Sequence, residues 1–561
     1  MWFTEDLARY RSESRGLDAL AFESDWLAGG KWRVDAENRL IFEVDIVIGE
    51  RVFPVFLRFP STFPDSPPSV FPRDKESRWS NHQFGAGGEL CLQYRPDNWT
   101  PDLTGVHVMQ SAYSLLAQEH PATGEPVVVA SAHRQTLGQQ LRGSTFRVFL
   151  SWQFGKTLLD IPAGSSAVGS AMGCFHEVDL VLFGEALTRE GVEAPDLHFP
   201  KALADSGARY PLWAIHLPPD ATLPDPKQPG FLEACAALGC PAGSRLVILM
   251  KGGAVNCYFI LEEKVHKAAH ILDEAPEARQ QDDHQVLPSK SVAIIGCGSL
   301  GSKVATMLAR AGVGRFVLID DDIFMPGNLV RNDLDWREVG AHKADAVSQK
   351  LKLVYPAATT VVWRAKLGGQ ESATSADSFL SLVKDCDLIV DATASAENLN
   401  VLSGVARAGK KPMVWAEIFG GGIGGMVVRS RPGLDLPPAY ARRAIENWFN
   451  EKGSMPQRAH RRYETGEEGP PMIADDADVS VIAAHAARYA IDILIDRQPS
   501  IFPYSAYAIG LTNRSVFSQP FETHPIDIEN TLPPDAIPDL SPEELKNELG
   551  TIVKMFIERA V

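Results

Sequence analysis

The sequence has no basic block: 54 Lys and Arg stand against 71 Asp and Glu, a net charge of −17 over 561 residues. A nucleic-acid partner is therefore not expected, because nothing concentrates positive charge above the acidic background. No apolar run approaches the roughly 18 residues that span a bilayer, and the opening MWFTEDLARYRSES lacks a charged-then-apolar leader. A cytoplasmic chain without membrane contact is the expectation. Cysteine is sparse as well. Its seven copies (Cys91, Cys174, Cys235, Cys240, Cys257, Cys297, Cys386) are odd in number and mostly set in apolar sequence, which fits a reducing compartment better than a disulfide framework. Only Cys235 and Cys240 stand close, as C-x4-C, with no second pair to complete a zinc site, and His176, His198 and His216 are scattered. The length suggests three or so domains.

The most informative stretch is 290–343, which opens KSVAIIGCGSLGSKVATMLARAGVGRFVLIDDD. Val292 to Ile295 reads as a buried strand, Leu300 to Ala311 as a helix and Phe316 to Ile319 as a second buried strand. Between the first two, Gly296, Gly298 and Gly301 form G-x-G-x-x-G, where missing side chains let backbone N–H groups and a helix N-terminus meet a phosphate. Asp320 closes the second strand, placed to accept hydrogen bonds from a ribose. A dehydrogenase would share all of this, but Asp322, Asn328, Arg331 and Lys343 follow within one segment. Two cations and an amide suit charge growing on a polyphosphate, and a nicotinamide site has no use for them. Asp391 ends another apolar strand, DLIVDATAS, where a doubly wound sheet presents its ligands and where oxygen could hold Mg²⁺.

The order D-x-D, N-L-x-R, Lys and V-D-x-T over residues 286–520 resembles the adenylation domain of ubiquitin-activating enzymes and their bacterial ThiF and MoeB relatives. The resemblance implies ATP as substrate with Mg²⁺: Asp320 on the ribose, Asn328, Arg331 and Lys343 on the phosphates, and Asp391 on the metal.

Nearer the start, RLIFEVDIVIG and RVFPVFLRFP alternate as antiparallel strands. FPSTFPDSPPSVFP follows, and Pro60, Pro64, Pro67 and Pro68 predict a rigid extended strap across the sheet. Then come the glycines Gly85, Gly87 and Gly88, Cys91 and the apolar helix VHVMQSAYSLLAQEH. FP-x-x-[FY]-P-x-x-PP-x-V, a Cys, and W-x-P-x-L-T starting at Trp99 is similar to the core of ubiquitin-conjugating enzymes over residues 20–120. The similarity implies that Cys91 carries an acyl group as a thioester. The family's His-Pro-Asn stands here as His82-Gln83-Phe84. Asn81, Gln83 or a backbone amide is left to supply the oxyanion donor.

The expected architecture is multidomain α/β and α+β. A ubiquitin-conjugating-like α+β domain (1–145) precedes a central α+β spacer (146–285), with strand-like pieces such as FRVFLSWQF and EVDLVLFG. A Rossmann-like ThiF/MoeB adenylation domain follows (286–561), after a polar linker at LDEAPEARQQDDHQVLPSK. Within it, the glycines 420–425 permit close backbone approach. Residues 432–477 form a polar excursion. DVSVIAAHAARYAIDILI is an apolar helix whose alanines (Ala483, Ala484, Ala486, Ala487) pack in the core or against a second subunit. LSPEELKNELGTIVKMFIERAV is a docking helix with an apolar stripe.

Ubiquitin-activating enzymes usually carry their own cysteine in the excursion, yet none stands between Cys386 and Val561. Three routes remain: direct passage of the acyl group to Cys91, an oxyester on Ser480 or Thr465, or a natural cysteine replaced at Ala474. Cys386 itself reads as structural. The order of domains resembles the single-chain activating–conjugating fusions of bacterial CBASS antiphage operons. That resemblance implies a partner protein with a free C-terminal carboxylate, a cGAS-like nucleotidyltransferase or a ubiquitin-like protein, and target amines as acceptors. A homodimer is expected from the adenylation fold. Sulfur-carrier activation beside a non-catalytic conjugating-like domain, and a nicotinamide oxidoreductase, are the other readings.

Overall fold

The computed structural model describes residues 1–122, 127, 136–197, 199–204, 207–228, 230–273, 280–367, 373–419, 422–453, 474–528 and 541–559. His198, Gly420, Gly421, Thr465 and residues 454–473 of the expected excursion lie outside the described residues. The chain divides into two compact units, Met1–Gly143 and Ser144–Val561.

In the first unit, helix α1 (Leu7–Glu23) precedes four antiparallel strands in sequential order, β1 (Leu27–Val34), β2 (Leu40–Ile48), β3 (Arg51–Arg58) and β4 (Ser69–Pro72). In β2 and β3, period-2 alternation buries Phe42, Val44, Ile46, Phe53, Val55 and Leu57 on one face. Helix α2 (Gly105–Glu119) contributes Val108, Met109, Ala112 and Leu116 to the same core. The proline segment departs from the extended strap that was expected. Residues 61–65 turn, the Phe63 N–H donates to the Pro60 carbonyl (3.2 Å) and the Asp65 N–H to the Thr62 carbonyl (2.9 Å). Prolines forbid helix and ladder but suit turn corners, so the chain folds back there and buries Phe63.

The second unit opens with eight strands: β7 (Phe146–Leu150), β8 (Ser166–His176), β9 (Asp179–Arg189), β10 (Val192–Pro195), β11 (Ala208–His216), β12 (Leu246–Lys251), β13 (Ala254–Leu261) and β14 (Lys264–Leu272). A two-residue hairpin, β5 (Gln83–Phe84) and β6 (Glu89–Leu90), belongs to the first unit and lies just before Cys91. The pairing order β9-β7-β14-β13-β12-β11-β8 returns to β9, so seven strands close on themselves and β10 extends β9. Closure of the seven strands leaves β10 as the outer edge and encloses a core of Val148, Leu150, Leu182, Ile248 and Phe259. FRVFLSWQF is not one strand: the Ser151 Oγ accepts from the Phe154 N–H (3.0 Å) and caps helix α3 (Trp152–Leu159).

A second eight-stranded sheet follows: β15 (Ser291–Ile295), β16 (Arg315–Ile319), β17 (Thr359–Trp363), β18 (Leu388–Asp391), β19 (Met413–Phe419), β20 (Gly424–Ser430), β21 (Ala506–Gly510) and β22 (Thr523–Ile526). Its order is β17-β16-β15-β18-β19-β20-β21-β22, parallel from β17 to β19 and antiparallel beyond. The direction of winding reverses between β15 and β18, the switch point at which such sheets bind ligands. Helix α4 (Ser299–Ala311) follows β15, α5 (Lys343–Val354) precedes β17, and α6 (Asp476–Leu494) packs on α4. Ala483, Ala486 and Ala487 are buried in the same core as Val304 and Leu308 of α4, so those alanines serve close packing within the chain. Helix α7 (Pro542–Arg559) leaves Leu545, Leu549, Ile552 and Phe556 exposed.

Candidate functional site

The glycine loop sits at the carboxyl end of β15. Gly296 turns with φ +88°, Gly298 caps α4, and a Cβ on Gly301 would lie 1.8 Å from the Gly296 carbonyl oxygen. Glycine is therefore required where helix and loop touch. Asp320, directly after β16, has both carboxylate oxygens engaged by backbone. Its Oδ2 accepts from the Cys297 N–H (2.7 Å) and its Oδ1 from the Asp322 N–H (2.9 Å), so it braces both loops. Burial pushes the Asp320 carboxyl up, and Lys343 opposes that shift.

Lys343 begins α5 and is 5% exposed, with its ammonium donating to the Asp322 carboxylate. The cation is thus held inside the sheet end, where an anion would feel it weakly screened. Asn328 lies in a short 3₁₀ turn and its Oδ1 accepts from the Met325 N–H (2.8 Å). Arg331 is half-buried in the following turn. Asp391, at the end of β18, is 3% exposed, and its Oδ1 accepts from the Thr393 N–H (3.0 Å) and hydroxyl (2.6 Å). Burial raises its carboxyl and the Thr393 bonds oppose that. No group of three or more His, Cys, Asp or Glu side chains forms a metal cage among the described residues. A lone carboxylate suits Mg²⁺, which takes one or two carboxylates beside phosphate and water. Asp391 is the residue that would hold it.

Sequence reading missed two features here. Asn332 is buried, its Nδ2 donates to the Cys297 carbonyl (3.4 Å), and its Oδ1 has no partner among the described residues. Lys303 of α4, 6% exposed, reaches Asp476 at the start of α6 (2.6 Å). Asn332 adjoins Arg331 and could have been found by position. Lys303 could not, since its partner is far along the chain.

Residues 273–500 match the ThiF family. The matched stretch includes the whole glycine loop and Asp391. The uncharacterized protein y4oA of Sinorhizobium fredii is 30% identical over 219 residues, 37% of this chain and 36% of that protein. The adenylyltransferase and sulfurtransferase uba4 of Aspergillus clavatus is 35% identical over 131 residues, 23% of this chain and 25% of that protein. The ATP-dependent ubiquitin transferase-like protein Cap2 of Pseudomonas aeruginosa is 29% identical over 119 residues, 20% of each. The chain thus spans little more than a third, or less, of each of these relatives. No helix among the described residues is long and apolar enough to cross a membrane.

In the first unit, Cys91 is half-buried and its N–H donates to the His82 carbonyl (2.6 Å). Burial, then the Glu89 carboxylate, pushes its thiol up. The indole of Trp99 donates to the Pro64 carbonyl (2.6 Å), tying the loop after Cys91 to the proline turn. His82 is buried with its Nε2 3.9 Å from the buried Glu119 carboxylate. Of the side chains considered as oxyanion donors, Asn81 is exposed, whereas the Gln83 carboxamide is engaged on both sides.

The other candidate acceptors differ in setting. The Ser480 hydroxyl donates to the Asp476 carbonyl (2.7 Å), a helix back-bond rather than a bond to a base. Ala474 is half-buried against the α4–α6 core. Cys386 is 3% exposed with its thiol pushed up to about 11 by burial, as a structural cysteine is.

Proposed function

We propose that the chain activates the C-terminal carboxylate of a partner protein by adenylation, takes the acyl group onto Cys91 and joins it to an amine. The observation that carries this reading is the buried Lys343, held beside Asp320 and Asp322 at the same sheet end as the glycine loop and Asp391. A carboxylate oxygen attacks the α-phosphorus of ATP and pyrophosphate leaves. Lys343 and Arg331 hold the growing phosphate charge, Asn328 and the Gly296–Gly301 loop orient it, and Asp320 and Asp322 fix the loop and the lysine. Mg²⁺ at Asp391 would supply further charge neutralisation. The Cys91 sulfur then attacks the mixed anhydride carbonyl and AMP departs. Finally a lysine nitrogen attacks the thioester and the Cys91 thiolate leaves. The tied-down Ser480 favours direct passage to Cys91 over an oxyester.

The transferase-like name of Cap2 supports conjugation, and a cGAS-like nucleotidyltransferase or a ubiquitin-like protein is the carboxylate donor this reading favours. The name of uba4 favours a second reading, sulfur-carrier activation ending in a thiocarboxylate with Cys91 idle. Intact mass of the chain after incubation with Mg-ATP and the protein encoded beside it separates the two. Conjugation predicts a reductant-labile adduct that disappears in Cys91→Ala. A thiocarboxylate on the partner, formed equally well by that variant, would overturn it.

A further inference from the structure

The side chain of Gln83 has four hydrogen-bonding positions, and all four are taken. Its Oε1 accepts from the Trp79 N–H (2.6 Å) and the Ser80 N–H (3.1 Å). Its Nε2 donates to the Gly88 carbonyl (2.9 Å) and the Ser77 carbonyl (3.3 Å). A carboxamide offers two acceptor sites and two hydrogens, so no hydrogen remains for a reacting acyl oxygen.

The four bonds join segments that otherwise share little. Residues 77–80 lead into His82, and Gly88 ends the turn between β5 and β6. Gln83 itself pairs with Leu90, the residue before Cys91, and the next rung is the Cys91 N–H on the His82 carbonyl. Within the glycine turn the Gly88 N–H donates to the Gly85 carbonyl (3.2 Å), and the carboxamide ties that turn to the segment before it. A Cβ on Gly88, at φ +68°, would lie 2.7 Å from the Arg78 guanidinium, 3.0 Å from the Pro72 ring and 3.2 Å from the Gln83 Nε2, so only glycine lets the carboxamide pack this closely on the turn. Arg78 adds a bond to the Gly85 carbonyl (3.2 Å) but none to Gly88.

We infer that Gln83 is a positioning residue for Cys91, clamping the 77–80 segment to the Gly88 turn so that the thiol is presented in one place, and that it is not the oxyanion donor. The inference rests on Cys91 carrying the acyl group, and the hydrogen of any oxyanion bond then comes from another group. A clamp of this kind acts on every reaction of the thiol. An oxyanion donor acts only on acyl transfer.

The test loads the full chain chemically, with the mercaptoethanesulfonate thioester of glycylglycine, and so needs neither ATP nor a partner. Discharge to free lysine and alkylation by iodoacetamide are both followed on the Cys91 peptide by mass spectrometry. In Gln83→Met, which loses all four bonds, alkylation rises about threefold or more as the loop opens. Lysine discharge falls about tenfold at saturating lysine, with the half-maximal lysine concentration unchanged. Gln83→Glu, which keeps the two accepted bonds, shows the same pair of changes at smaller size and guards against a variant that merely fails to fold. Slower discharge with unaltered alkylation would place Gln83 on the acyl oxygen, and no change in either rate would remove it from the site. Either result overturns the inference. Failure of the adenylation reading would leave both measurements intact.

Discussion

At the residue scale, the two ends of the proposed relay are tuned in opposite senses. Lys343 and Asp391 are buried charges or near-charges whose value lies in weak screening, so removing either costs more than a surface charge would. ATP–pyrophosphate exchange supported by the partner is expected to fall about 100-fold or more in Lys343→Ala. Exchange within a fewfold of the parent would remove Lys343 from the phosphate site. Cys91 is held protonated instead: burial first, and Glu89 second, disfavour the thiolate. Its alkylation therefore climbs with pH through 8 and past the ordinary thiol range rather than levelling near neutrality. Neutralising the nearby carboxylate favours the thiolate and lowers the thiol's pKa, so Glu89→Gln should alkylate about two- to fivefold faster at pH 7.5. A slower or equal rate, read on the Cys91 peptide, would show that the Glu89 charge does not reach the sulfur.

At the element scale, the β15–loop–α4 unit depends on contact between backbones. Gly301→Ala would drive a methyl into the Gly296 carbonyl oxygen at 1.8 Å, with Ala392 a further 3.1 Å neighbour. Since backbone cannot swing aside as a side chain can, a loss of about 1–3 kcal/mol in stability is expected. The loss should appear as a lower melting temperature together with loss of ATP protection against melting. Unchanged ATP protection would show that the helix can slide without harm to the loop. This unit was legible in the sequence because everything that defines it is local: an apolar strand, glycines at fixed spacing and an acid closing the next strand. The strand-rich character of residues 144–272 was legible too, but its closure was not. β7 finds β14 and β9, and β8 finds β11, through pairings that no local pattern specifies. The boundary inside FRVFLSWQF was obscured because a single serine cap outweighs a run that reads as strand on hydrophobicity alone. Around the proline turn the residues were read correctly as excluding helix, while the corner they form needed the geometry of Phe63 settling into the core.

At the scale of the whole molecule, the hydrophobic clusters respect the division at Gly143 and Ser144. One cluster runs from Trp2 to Leu116, and the remaining four draw only on residues beyond Ser144. Each unit therefore carries the core its own folding requires, and the two proposed chemistries, adenylation and thioester carriage, fall on different units. Carriage on one chain replaces a bimolecular encounter with an effective concentration of about millimolar order. Separating the chain at this point should accordingly spare the half-reactions and penalise the relay. Residues 144–561 alone are expected to support ATP–pyrophosphate exchange within about threefold of the full chain, and residues 1–143 to retain alkylation of Cys91 at its parental rate. Mixed at about 1 μM each, they should transfer acyl group to Cys91 about 100-fold or more slowly than the intact chain, with a rate proportional to fragment concentration. If mixing restored the full rate at that concentration, the fragments would have to associate through a stable interface. If the larger fragment lost exchange, activation would depend on the first unit, and the division of labour between two independently folded halves would be wrong.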